Sequence, residues 1–191
     1  MKLTQPIRNK AHVQALLNFY YDRGHLRNYL LLCLGVHTAL RISDILSLTT
    51  DHVYDFKKRK VRTSITIVEK KTGKHKSLAL HKTVITALAL GLATAKPGQA
   101  LIRNTRTNKA LSRVQAWRII RAAAESLKLP QSVSCHSLRK TFGYHAWKDG
   151  TPPVVIMEIY NHSSLKITKC YLGVSQDDKD AVYVGLCFAA S

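Results

Sequence analysis

Six side chains in this sequence have types and spacings that could do chemistry. In "CHSLRKTFGYH", His136 and Arg139 stand three residues apart, so a helix puts them on one face. Lys140 and His145 follow; His145, nine residues after His136, is rotated away from it. So many cationic or proton-handling groups on one short helix suggest a surface facing a polyanion or a reaction centre. Taken alone, the His136/Arg139 pair fits a structural histidine beside a surface arginine better. Other positions change that balance. In "TALRISDILSL", Arg41 lies in an apolar setting just before a helix start. A guanidinium desolvated there needs an anionic partner, and Asp44 is the bland choice. In "EKKTGK", Lys71 stands at a hairpin tip and can reach into a groove. In "NHSSLKITKCYLG", His162 stands at a helix entry, with Tyr171 nine residues later.

These groups must be positioned by local structure. Apolar spacing predicts helices over about 9–22, 26–38 and 43–50, the last starting at Ser43-Asp44. A β-branched stretch broken at Thr72-Gly73 predicts two strands, about 60–69 and 75–80. Helices follow over about 82–94, stopping before Pro97-Gly98, and 113–127, capped by Ser112. The helix 136–148 ends at Gly150, and Thr151-Pro152 starts another over 152–160. Ser163/Ser164 start one over 164–172, ended by Gly173. Ser175 with Asp178 makes a capping-box start for a last helix over 176–187. The fold class is mainly α with a small antiparallel β-sheet (α+β), in one domain over 1–191. Trp117 and Trp147 are expected in the core, Tyr144 and His145 in structural or DNA-contacting roles.

Composition narrows the partners. Thirty Lys and Arg face eleven Asp and Glu, a net charge of +19, which points to a polyanion and first to nucleic acid. A ribosomal-type RNA binder would fit the charge alone. The cations are uneven: residues 57–76 hold nine Lys/Arg against one Glu, and 103–128 hold seven against one. The hairpin and the helix after Ser112 are therefore expected to face DNA, through Lys70, Lys74, Lys76, Arg113, Arg118 and Lys140, with Gln115 a further candidate base reader. The four cysteines form no CxxC pair, which suggests reduced thiols in a cytoplasmic protein. A zinc site from Cys135, His136 and His162 lacks paired-ligand spacing. The longest apolar run, "LLLCLGV", is too short to span a bilayer, so no membrane partner is expected.

Five motifs then carry a resemblance. R-I-S-D from Arg41, K-T-G from Lys71, H-S-L-R-K-T-F from His136, N-H-S-S from Asn161 and C-Y-L-G from Cys170 occur in sequence. In order and spacing, over about residues 35–175, the chain resembles the tyrosine recombinase/phage integrase family. The resemblance implies a catalytic-domain-like fold and matches Arg41 to the first catalytic arginine. It matches Lys71 to the hairpin lysine, with Lys70, Lys74 and Lys76 as competitors. It matches His136 and Arg139 to the second histidine–arginine pair, His162 to the third-box histidine and Tyr171 to the nucleophile. Asp44 matches a supporting acid. Two positions depart from the commonest pattern: Lys140 stands where His often follows the arginine, and Asn161 where Gly often precedes the histidine. Asn tolerates the left-handed conformation, so the helix end can survive.

The resemblance implies cutting and rejoining of duplex DNA through a 3′-phosphotyrosyl intermediate, with no cofactor and no metal. The residue types suit that reaction. Attack on a phosphodiester builds charge on its non-bridging oxygens, which arginines grip with paired hydrogen bonds. Histidines donate to the same oxygens or move a proton, and a lysine can protonate the leaving 5′ oxygen. A tyrosine hydroxyl, with a pKa of about 10, needs activation by cations or a base. Only about thirty-five residues precede the first motif. The expectation is a short single-domain type without an N-terminal core-binding domain, resembling fimbrial-switch invertases, or else a catalytic fragment. The expected partners are double-stranded DNA, copies of the chain in a tetramer on paired sites, and accessory DNA-bending proteins. The helix 176–187 would pack on a neighbouring protomer. The rival readings are type IB topoisomerase-like relaxation and a catalytically silent DNA-binding module.

Overall fold

A computed structural model of the chain describes residues 4–92, 95–130 and 132–186. Helices α1 (Lys10–Tyr21) and α2 (Leu26–His37) come first, then two short ones, α3 (Ile42–Ile45) and α4 (Thr50–Val53). Strands β1 (Tyr54–Asp55), β2 (Lys60–Val61), β3 (Ser64–Val68) and β4 (His75–Ala79) follow. Helices α5 (Lys82–Gly91), α6 (Arg113–Ser126), α7 (Cys135–Lys148), α8 (Pro153–Tyr160), α9 (Leu165–Leu172) and α10 (Gln176–Gly185) complete the order. None of the described helices is long and apolar enough to cross a membrane.

The centre of the molecule is α2. Its run Leu30–Val36 is buried on every side, which is why the sequence there is apolar without a period. Each buried leucine of that run contributes roughly 1.5–3 kcal/mol of transfer free energy. Leu16, Leu17 and Tyr20 of α1 and Val84, Ala87 and Leu88 of α5 share its core. Helix α7 crosses α2 at Gly35, where any Cβ would lie 2.6 Å from Leu138 Cδ1. That close approach fixes the depth of the helix that carries His136 and Arg139. A second cluster gathers Ala39, Ile156, Tyr160 and Leu172, with Phe142, Trp147 and Tyr171 packed against it.

Several expectations are corrected. The helix expected over 43–50 is two pieces, because the chain is extended at Thr49. Thr49 bridges Ala100, its amide donates to His52 Nδ1 (3.1 Å), and Thr50 N donates to Gln99 O (2.9 Å). Among the described residues there are two small sheets, not one. Residues 60–61 leave the main hairpin and pair with β1, with Tyr54 opposite Val61. The Asp55 carboxylate closes that turn by accepting from the amides of Lys57 and Lys58. Trp117 is 44% exposed, not core. The buried stripe of α6 is Ala116, Ile120, Ala123 and Ala124, and Trp117 sits one residue off it. The helix over 82–94 ends at Gly91 within the described residues, and residue 187 of the last helix lies outside them.

The start of the described chain straps over α7. Ile7 is fully buried; its amide donates to Thr141 Oγ1 (2.9 Å) and its carbonyl meets His145 Nε2 (2.9 Å). Lys140 Nζ donates to Thr4 O (2.7 Å), and Arg8 Nη2 to Gly173 O (3.0 Å). At the other end, Ser175 and Asp178 form the expected capping box of α10. Lys148 of α7 pairs with Asp178 there.

Candidate active site

Helix α7 starts at the extended N-cap Ser134, which places His136 in its first turn and Arg139 one turn on. Helix α8 ends where Asn161 takes the left-handed conformation (φ 53°), as the departure from Gly allows. His162 N donates back to Met157 O (3.0 Å), so the turn delivers His162 beside α7. Helix α9 carries Tyr171 in its last turn, and Gly173 ends it at φ 63°.

Four sequence-expected groups meet here. The Tyr171 ring centroid lies 4.6 Å from that of His162, 5.0 Å from His136 and 5.1 Å from Tyr160. The Arg139 guanidinium carbon is 5.9 Å from the Tyr171 ring and 4.5 Å from the Tyr160 ring. Arg139 is 1% exposed. It donates to Ala39 O and, at 3.0 Å, to Tyr160 O. Its Nε has no hydrogen-bond partner among the described residues.

Arg41, the fifth group, stands at the entry of α3. Its counter-charge is Glu69 (3.0 Å), not Asp44. The N–H bonds of Arg41 Nη1 do not align on that carboxylate, so this buried donor also lacks a hydrogen bond among the described residues. Asp44 instead accepts from Lys70 N (2.9 Å) and pins the hairpin turn. Lys71 stands exposed at the turn beyond β3 and contributes to lowering the pKa of His136.

Burial and the surrounding cations keep the imidazoles neutral. His162 is pushed down to about 4 by desolvation first, then by Arg139 and Arg41. Its Nδ1 meets Thr168 Oγ1 at 3.0 Å, which fixes the ring. His136 is lowered by its dense surround first, then by Lys140 and Arg139.

Two of the expected DNA-facing cations are not on the surface. Lys140 is 5% exposed, holds Thr4 O and lies 5.6 Å from the Tyr171 ring. Lys76 is 8% exposed and reaches Ile159 O. Lys70, Lys74, Arg113 and Arg118 are exposed. His145 is structural, through Ile7.

Sequence reasoning missed Glu69, which is 0% exposed and also accepts from Thr72 Oγ1 (2.8 Å). A signal for it existed. Ile65 and Ile67 face inward, and period two carries that face to residue 69. A carboxylate turned inward needs a cation. The same logic finds Lys76, which stands opposite Ile67 in the register.

Comparison with known proteins bears on the family and the fold. The phage integrase family model matches residues 8–177. A probable integrase/recombinase, YoeC of Bacillus subtilis (strain 168), is 33% identical over 183 residues, covering 96% of this chain and 97% of that protein. The tyrosine recombinase XerD of Mycobacterium leprae (strain TN) is 31% identical over 171 residues, covering 84% of this chain and 52% of XerD. The chain thus spans about half the length of XerD. The crystal structure of XerA recombinase superposes with a TM-score of 0.76 at 19% identity, over 95% of this chain and 66% of that one. The Tn1549 transposon integrase, solved in complex with a circular intermediate DNA, gives 0.70 at 20% identity, over 97% and 67%. At those identities the structures speak for the fold, that of tyrosine recombinase catalytic domains. A family match over most of the chain and a relative covered almost end to end carry the assignment further: the chain belongs to the phage integrase family.

Proposed function

We propose that the protein is a tyrosine-type site-specific recombinase that cuts and rejoins duplex DNA. The observation that carries this reading is one tyrosine, Tyr171, ringed by His136, His162 and Arg139 from two other segments of chain. Arg139 Nε has no hydrogen-bond partner among the described residues and Arg41 Nη1 faces only Glu69; the two guanidiniums are the kind of donors that the non-bridging oxygens of a phosphodiester require. Tyr171 Oη attacks phosphorus; the new O–P bond forms as the P–O5′ bond breaks. The neutral histidines supply hydrogen bonding and proton transfer, and Lys71 protonates the departing 5′ oxygen. The phosphotyrosyl bond keeps the energy of the broken one, so religation runs as the reverse of these steps.

The same reading includes assembly on paired sites. Helix α10 has no buried residue, and Val182, Tyr183, Val184 and Leu186 are 59% to 87% exposed. Those exposed apolar side chains suit a neighbouring protomer. Lys70, Lys74, Arg113 and Arg118 are free to meet phosphates.

The test is trapping. Duplexes selected for binding from a random library are nicked beside each phosphate in turn and incubated with protein. A covalent adduct that disappears in Tyr171→Phe is expected. An adduct that survives the substitution, or none on any selected duplex, refutes the reading.

A further inference from the structure

The hairpin carries a buried ammonium that the reaction above does not use. Lys76 lies on the inward face of β4, opposite the buried Ile67. Its Nζ crosses to α8 and donates to Ile159 O at 2.5 Å. The next carbonyl, Tyr160 O, accepts from Arg139. The last two residues of α8 are therefore each held by a cation, at the end where carbonyls are orphaned and the helix dipole is negative. The chain then turns at Asn161 and presents His162, whose own amide bonds back to Met157 in the same last turns. The other buried charge of this hairpin, Glu69, faces Arg41. The hairpin thus grips both halves of the site, Arg41 through Glu69 and the His162 turn through Lys76. Burial, and then Arg139, push the Lys76 amine down to about 8, so a charge is held here at a cost that an apolar side chain would avoid.

We propose that Lys76 is a positioning residue: by holding the C-terminal carbonyls of α8 against the hairpin, it keeps His162 in register with Tyr171. It acts through the helix end and touches no reacting atom. This rests on the recombinase reading for its kinetic consequence but not for its structural one.

Two variants test it. Lys76→Met fills the space without a donor; Lys76→Arg keeps a cationic donor. In Lys76→Met the imidazole NMR signals of His162 should move. Single-turnover adduct formation on a selected nicked duplex should fall on the order of tenfold to a hundredfold, the scale of a misplaced catalytic group. Affinity for the intact duplex should hold, and so should the melting temperature, because a buried charge has been replaced by a packed apolar chain. Lys76→Arg should keep the His162 signals near wild type and recover most of the rate. Unmoved His162 signals in Lys76→Met overturn the inference whether or not the wild type forms an adduct. So does a rate that falls only in step with melting temperature in both variants, which would make Lys76 a packing residue. If the wild type forms no adduct while the His162 signals move as expected, the recombinase reading fails and the positioning role stands.

Discussion

Replacing Gly143 by alanine places one methyl group against the strut behind Tyr171. The added Cβ would lie 2.9 Å from Tyr160 Cε2 and 3.0 Å from Cζ, with the hydroxyl closer still. Tyr160 cannot step aside. It is 0% exposed, its hydroxyl donates to Arg139 O (2.6 Å), and its own carbonyl accepts from Arg139. Helix propensity alone favours alanine by about 1 kcal/mol at this interior position. Overpacking opposes it by roughly 2 kcal/mol. Breaking the buried tyrosine hydrogen bond adds about 2 kcal/mol more. The balance is a loss of about 3 kcal/mol, which in a chain of this length lowers the melting temperature by roughly 6–12 °C. Thermal melts followed by circular dichroism measure it. In a Tyr160→Phe background the closest atom is gone, and the penalty of Gly143→Ala should shrink without vanishing, since the ring carbons remain. A variant that melts at or above wild type, with Tyr160 intact, would refute the account of how α7 and α8 meet.

Two further perturbations follow from the buried charges. His37 and His162 are each held to about 4, His37 by burial and then by the stacked His81. Their folded pKa lies below the unfolded value near 6.5, so the unfolded chain takes up protons first. Stability should therefore fall as pH drops from 6.5 toward 4, and His37→Gln should flatten part of that slope; urea melts with no slope in this window would contradict it. Glu69→Ala leaves the Arg41 guanidinium without its counter-charge and should cost about 3 kcal/mol in denaturant melts. Glu69→Gln keeps an acceptor for Thr72 and should cost less; equal losses would show that the charge is not what matters.

Much of the site was legible because its signals are local. Ser134, Asn161 and Gly173 punctuate the helices, and punctuation is a property of single residues and their neighbours. His136, His162 and Tyr171 stand within two residues of those boundaries, and the order and spacing of five motifs joined them to Arg41 and Arg139. What was not legible depends on tertiary pairing. Glu69 looked like one acid lost among lysines until β3 turned its face inward. Lys76 and Lys140 counted as surface charge because charge is counted along the chain, while burial is decided by the element that covers them: α8 for one, the strap at Thr4 for the other. The break at Thr49 arises from a bridge to Ala100, fifty-one residues away, which no local pattern can contain. Trp117 misled because a large ring suggests a core, yet it stands one residue off the stripe of Ala116, Ile120, Ala123 and Ala124 through which α6 packs.

The strap over α7 has one more consequence. Its anchors are spaced along it at Thr4, Ile7 and Arg8. Their partners, Lys140, Thr141, His145 and Gly173, lie on a single rigid helix and at the end of the helix bearing Tyr171. The strap therefore works as a ruler. Many substitutions along it leave the marks in place, because three of the four contacts use main-chain atoms of the strap. Adding or deleting one residue between Thr4 and Arg8 shifts every mark beyond it by more than 3 Å, about the reach of the extended chain per residue. At this edge of the protein, length sets the fit, and composition comes second.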